Sequence, residues 1–171
     1  MCAALNLASP IVIAQQRTLD PGEYTMLFDG TSPRTRTIAL SKAPKSLDAV
    51  VTLDGDEVDA FPIDPSTAFP AKGRAGLGPL LPYRPERRTY PLFDSTSGED
   101  VGMDYLGPGS VQGLDTYKYS AALSDGCVRT VDAERRTGRI LDEVWDCGAD
   151  QWVLADAVSY THLRAHETRH D

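Results

Sequence analysis

Apolar and polar residues alternate along much of this chain, in short runs that turn residues separate. In the clearest run, Tyr117, Tyr119 and Ala121 alternate with more polar neighbours. This period-two alternation is typical of β-strands that bury one face, and it restricts the chain to sheet-based folds. Further strand-like runs occupy residues 11–15, 23–28, 35–40, 49–53, 58–63, 111–114, 128–132, 140–145 and 151–155.

Turn-forming residues lie between these runs. Asp54-Gly55 and Gly107-Pro108-Gly109 are combinations that favour chain reversal. No segment combines helix caps with a 3.6-residue apolar repeat. The sequence therefore predicts an all-β, antiparallel β-rich single domain, either a sandwich or a partly open barrel. Residues 70–86 are rich in Pro and Gly and are expected to form a long loop across this domain.

The length of 171 residues fits one domain, and the net charge of −8 restricts the partners. Phosphate contacts need grouped Lys and Arg side chains, and the sequence has no such cluster, so nucleic acid is not expected as a partner. Arg outnumbers Lys by 13 to 4, which indicates a bacterium of high GC content. A surface preference for Arg is the alternative explanation.

The end of the chain differs in character from the rest. Residues 158–168 resemble the translation of a transposase adapter used in sequencing libraries. We therefore expect residues 1–157 to form the β-rich domain and residues 158–171 to be an artefactual tail that packs against nothing. All three histidines lie in this tail, and an interrupted gene would also remove the natural C-terminus.

Two of the three cysteines, Cys127 and Cys147, flank a hairpin-like segment. They are equidistant from Thr137, which precedes Gly138 at the expected turn. A symmetric hairpin would place their sulfurs opposite each other, with Cα atoms about 4.4–6.8 Å apart. This favours a disulfide and an oxidising, extracytoplasmic compartment, although two unrelated thiols remain the alternative.

Catalytic and cofactor motifs are absent from the sequence. There is no nucleophile elbow, P-loop or dinucleotide fingerprint, and residues 1–157 contain no histidine. The acidic residues 54–59 do not complete a calcium loop and are expected to form an exposed turn. We therefore expect no enzymatic activity, no metal and no cofactor. A carboxylate-dependent hydrolase is a less favoured alternative, because sequence does not give the separation of carboxylates.

One stretch carries a more specific pattern. It contains Tyr90-Pro91 followed by Phe93-Asp94, and then Gly113-Leu114 followed by Tyr117 and Tyr119. In this order and spacing, the segment resembles the actinobacterial porin PorA family, long known as a domain of unknown function. The family also has a Val-acidic-Pro-x-Thr-Gly turn. Here residues 131–138 lack the Pro and carry two extra residues.

The resemblance implies an extracytoplasmic, membrane-anchored protein of the cell envelope. Family members carry a helix before and a helix after a β-rich domain, so this chain is expected to be a fragment truncated at both ends, with its membrane helices missing. The expected function is a non-enzymatic binding or scaffolding role, porin-like by family label. The alternative is a β-sheet carrier that binds an apolar envelope lipid.

The motif residues also carry structural expectations. Phe93, Tyr105, Leu114, Tyr117 and Tyr119 are expected to be largely buried on neighbouring strands. Gly113, inside a strand-like run, suggests a bulge or a close backbone approach. Asp94 is expected to cap the turn that begins at Ser95, because Asp accepts a hydrogen bond from the backbone two residues on.

Overall fold

The computed structural model describes the backbone of residues 19–161 and the side chains of residues 19–157. This part of the chain forms ten strands that pair antiparallel in one open sheet, in the order β4-β3-β2-β1-β10-β9-β8-β7-β6-β5. The predicted all-β antiparallel fold is confirmed, as a single sheet and not a two-sheet sandwich. The strands are β1 (Gly22–Gly30), β2 (Arg34–Lys42), β3 (Leu47–Leu53), β4 (Asp56–Ile63), β5 (Tyr90–Asp94), β6 (Glu99–Val111), β7 (Leu114–Ala122), β8 (Val128–Glu134), β9 (Ile140–Asp146) and β10 (Gln151–Thr161).

The sheet consists of two meanders that meet in its middle. Hairpins join β1 to β4 in one series and β5 to β10 in the other, and β1 pairs with β10 where the two series meet. The β9–β10 ladder extends only from Gln151 to Val153, whereas β10 follows β1 along its whole length. No helix that could span a membrane was found among residues 19–161.

One turn prediction and one strand prediction were wrong. Gly107-Pro108-Gly109 lies inside β6, because a register shift between Tyr105 and Gly107 absorbs the irregularity. Beyond Met103 this part of β6 has no partner on its β5 side, so a Pro is tolerated there. The run 111–114 is a hairpin turn instead of a strand: Gln112 and Gly113 both have positive φ, at 50° and 81°. Gly113 therefore makes a tight turn and not a bulge.

The strand that ends the described region crosses the expected domain boundary. β10 continues to Thr161, and residues 158–161 pair with β1, from Val158 opposite Thr25 to Thr161 opposite Gly22. The expectation that the whole tail packs against nothing is therefore wrong for the backbone of these residues. Ladder hydrogen bonds need only an extended backbone, so side-chain identity does not prevent the pairing. Residues 162–171 and the predicted strand at 11–15 lie outside the described residues.

Residues 64–89, here called the crossing segment, connect the two edge strands. Near its start it pairs with β4 through Ile63 and Pro70, and further on it pairs with β5 through Leu77 and Leu92. Arg74 places its guanidinium carbon 4.1 Å from the Phe61 ring centroid and 4.3 Å from that of Phe93. Because one arginine contacts both edge strands, the sheet must be curved enough to bring β4 and β5 close together. The predicted long loop at 70–86 is confirmed.

Apolar side chains on the inner face form two main clusters. One lies under β5 to β9 and contains Leu77, Tyr90, Leu92, Met103, Tyr119, Val131 and Ile140. The other lies under β1 to β4 and contains Ile38, Leu40, Leu47, Val51, Phe61, Ile63 and Ala68. The crossing segment contributes Leu77 to the first cluster and Ala68 to the second, so it helps to join the two.

The predicted aromatic core is only partly correct. Tyr119 is fully buried, but Phe93, Tyr105, Leu114 and Tyr117 are half-buried. On β5, alternation directs the buried Tyr90, Leu92 and Asp94 to one side and leaves Phe93 on the other, where Arg74 covers its ring. Leu114 lies beside the hairpin turn, where its strand begins. These positions explain why the deepest aromatic packing centres on Tyr90 and Tyr119, whose ring centroids lie 5.9 Å apart.

Candidate ligand pocket

A pocket of about 380 Å³ opens at one end of the curved sheet. Its walls come from β1 to β5, from β8 to β10 and from the crossing segment, so the curvature of the whole sheet creates it. Most of the lining is apolar: Phe28, Val51, Leu53, Val58, Leu92, Phe93, Leu123, Trp145 and Trp152. Both tryptophans of the chain are in this lining.

The crossing segment closes one wall of the pocket at Gly78. A Cβ atom there would overlap the ring of Phe61 on β4, so only glycine allows this approach. The neighbouring Pro79 also lines the pocket, and its carbonyl accepts a hydrogen bond from Arg129 at 3.0 Å. Gly78 therefore lets the backbone of the crossing segment pass close to β4.

Three charged side chains from separate strands meet at the inner end of the pocket. Glu143 on β9 accepts two hydrogen bonds of 2.8 Å from Arg36 on β2 and one of 2.9 Å from the Arg129 Nε on β8. Trp145 donates its indole N–H to the same carboxylate at 2.6 Å. Two strands, β1 and β10, separate β2 from β9 in the sheet, so this contact spans the interior.

The ionisation of this cluster follows from burial and pairing. Burial alone would raise the pKa of Glu143, but the charges of Arg129 and Arg36 outweigh it and hold the pKa far below its usual value. Burial lowers the pKa of Arg129, and Glu143 opposes that effect. The carboxylate therefore stays ionised throughout the physiological range.

The rim of the pocket carries polar groups that serve the fold. Arg34 pairs with Asp54 at 2.9 Å, and Arg74 holds Asp59 through two bonds of 2.7 and 2.6 Å. The acidic run 54–59 is thus mostly exposed, as expected, but Asp59 is half-buried in an ion pair. Within residues 19–157 no three His, Cys, Asp or Glu side chains converge as metal ligands.

Cys127 and Cys147 lie at the same rim and form a disulfide between the ends of β8 and β9. Val128 pairs with Asp146, so the two cysteines are the next residues outward on each strand. Their Cα atoms are 4.0 Å apart, below the expected range. The hairpin symmetry about Thr137 is therefore present, with closer backbones than the prediction.

The motif residues brought together by the fold hold the crossing segment in place. The Glu86 backbone N–H donates to the Tyr90 hydroxyl at 2.7 Å, and the Tyr119 hydroxyl donates to the Glu86 carbonyl at 2.5 Å. Pro91 lies on the same strand, and its carbonyl accepts a bond from Leu77 at 2.8 Å. Tyr90, Pro91 and Tyr119 therefore position the crossing segment, and they do not line the pocket.

Asp94 caps its turn as predicted. Its carboxylate accepts the Thr96 N–H at 3.0 Å and also the Ser124 N–H at 2.8 Å, which ties two rim turns together. Burial would raise the pKa of Asp94, but these bonds dominate and lower it. Gly113, Leu114 and Tyr117 lie away from the pocket, at or near the β6–β7 hairpin end.

Comparison with known families identifies the segment that carries these motifs. Residues 57–139 match the family described as Porin PorA. Over these residues the chain is similar to the porin PorA family. The match includes β5 to β8, the crossing segment and most of β4, and it confirms the resemblance seen in the sequence. It supports the expectation of a porin-like envelope protein. No curated protein matches the chain.

Sequence reasoning missed the charged cluster at the inner end of the pocket. Arg36 and Glu143 are 107 residues apart, and no local pattern links them. A signal was present nonetheless: both occupy inward positions of alternating strands, where an apolar residue is the rule. Charged residues at such positions indicate a partner across the interior.

Proposed function

We propose that this PorA-family chain is a non-enzymatic envelope protein whose curved sheet binds an apolar ligand on the extracytoplasmic side of a membrane. The family description supports an envelope protein. A disulfide between Cys127 and Cys147 fits an oxidising compartment. The resemblance to the family adds membrane anchoring to this proposal.

The pocket is the observation that carries the binding role. Its volume of about 380 Å³ lies in the usual range for small-molecule sites, which are mostly apolar with a few fixed polar groups. The lining has that composition, with aromatic and aliphatic walls and two arginines at the inner end. A purely scaffolding protein would need no such cavity, so the ligand carrier is the better account.

The acids at the rim favour a binding role over hydrolysis. Asp59 is held by Arg74 through two hydrogen bonds, and backbone N–H groups hold Asp94 and lower its pKa. A general acid in a glycosidase needs the opposite shift, toward neutral pH. These two carboxylates are therefore better suited to fixing the rim than to transferring protons.

Calorimetry with 1-decanol tests the proposal directly. We expect saturable binding, accompanied by a change in tryptophan emission because Trp145 and Trp152 line the pocket. Leu53→Trp should fill the pocket and abolish the binding heat. Its matched control, Leu106→Trp, changes an exposed residue of β6 outside the pocket and should bind normally.

Two results would overturn the binding role. One is the absence of any binding heat when the unmodified protein is titrated with 1-decanol and with decanoate, a charged compound of the same chain length. The other is equal binding by Leu53→Trp and Leu106→Trp, which would place the decanol elsewhere on the surface. Mass spectrometry of an organic extract of the purified protein gives a second readout, in which the proposal expects a co-purified lipid.

A further inference from the structure

The inner end of the pocket carries one more positive charge than negative. Arg36 and Arg129 both form ion pairs with Glu143, at 2.8 and 2.9 Å. Glu143 is completely buried, and the two arginines are 6% and 3% exposed. Two guanidinium groups therefore share one carboxylate away from water, which leaves an excess charge of about +1 in the cluster.

The remaining partners of these arginines are neutral. Arg129 also donates to the Pro79 carbonyl, and Arg36 contacts the Met26 sulfur. The Arg36 Nε is buried and has no hydrogen-bond partner among the described residues, although Arg36 lines the pocket. Buried charges and donors are costly unless an opposite charge or an acceptor satisfies them.

The acids nearest to the pocket do not supply the missing negative charge. Asp59 is paired with Arg74, and Asp94 accepts the N–H groups of Thr96 and Ser124. Asp125 is exposed and accepts the Cys127 N–H at 2.9 Å. Within residues 19–157, the ion pairs of Arg36 and Arg129 are with Glu143 alone.

We propose that the pocket binds an anionic amphiphile, with its acidic head group at Arg36 and Arg129 and its chain along the apolar walls. This inference rests on the proposed ligand-binding function and names the chemical class of the ligand. The head group would accept a hydrogen bond from the unpartnered Arg36 Nε–H and balance the excess positive charge of the cluster. At about 30 Å³ for each water-sized group, the volume of about 380 Å³ holds roughly a dozen such groups.

Decanoate and two compounds of equal chain length test the charge preference. Decanoate, 1-decanol and decyltrimethylammonium differ in the head group alone, and acetate supplies the carboxylate without the chain. By calorimetry on the intact protein, we expect decanoate to bind at least about ten-fold more tightly than 1-decanol, since a hydrogen bond to a charged group is stronger than a neutral one. Decyltrimethylammonium and acetate should bind weakly or not at all.

Three substitutions test whether Arg36 causes the preference for an anionic head group. Arg36→Met leaves Arg129 and Glu143 as a balanced pair, so the ratio of decanoate affinity to 1-decanol affinity should fall toward one. Arg36→Lys keeps the charge and should retain most of the preference. Arg135→Gln removes one positive charge from the hairpin at the opposite end of β8, outside the pocket, and should change neither affinity.

The outcomes separate the two proposals. Equal affinity for decanoate and 1-decanol, or a preference for decyltrimethylammonium, would refute the anionic ligand and leave the apolar pocket intact. Failure of all the decyl compounds to bind would refute the proposed function itself. Because the head-group comparison uses the unmodified protein, it decides the matter even if Arg36→Met does not fold.

Discussion

At the scale of single residues, Glu143 holds the buried charged cluster together. It is fully buried and holds Arg36, Arg129 and the Trp145 indole. Glu143→Gln would remove the only negative charge of the cluster, and breaking a buried ion pair costs about 3–5 kcal/mol. Urea unfolding should show this loss. The exposed Glu99→Gln should change the free energy of unfolding by less than about 0.5 kcal/mol.

The Glu143 carboxylate should also make the stability of the fold depend on pH. Its pKa is lowered in the folded protein, so its stabilising contribution is complete above the unfolded value of about 4.3 and declines as the pH falls below it. Thermal melts between pH 7 and pH 3 should show this decline. In Glu143→Gln the dependence should be shallower, and an unchanged slope would contradict the assignment.

At the scale of elements, the β8–β9 hairpin depends on its cross-link. The sequence separation of Cys127 and Cys147 is 20, and closing a loop of that size should contribute about 3 kcal/mol by restricting the unfolded chain. Replacing both cysteines by serine should therefore lower the melting temperature by several degrees. Addition of a reductant should destabilise the unmodified protein and leave the double variant unaffected. Equal melting temperatures of the unmodified protein and the double variant, both measured without reductant, would count against a stabilising cross-link.

Most strands could be predicted because alternation is a local property. Runs at 23–28, 35–40, 49–53 and 140–145 lie inside β1, β2, β3 and β9. Strand β6 was missed because Gly107, Pro108 and Gly109 normally end strands, and only the missing neighbour on one side makes them acceptable. The Arg36–Glu143 contact depends on the curvature of the finished sheet, which no local pattern encodes.

At the scale of the whole molecule, Arg74 joins the two edges of the sheet. It binds Asp59 of β4 through two bonds and covers Phe93 of β5. Arg74→Met should destabilise the fold by about 1.5–3 kcal/mol, because the pair is largely buried and hydrogen-bonded. The exposed Arg34–Asp54 pair offers a matched control, and Arg34→Met should cost less than about 1 kcal/mol. Chemical unfolding of both variants tests the difference, and similar losses of stability would argue against the role of Arg74 in joining the two edges.

The central position of β1 beside β10 has a consequence for synthesis. Each meander can form from neighbouring hairpins as it leaves the ribosome, but β1 can pair with β10 only after β10, the last strand of the described region, has been synthesised. Until then, the half-finished sheet exposes an inner strand as a free edge, which is a template for association with other chains. An export pathway that delivers the chain unfolded, or a chaperone that covers β1, would remove that hazard.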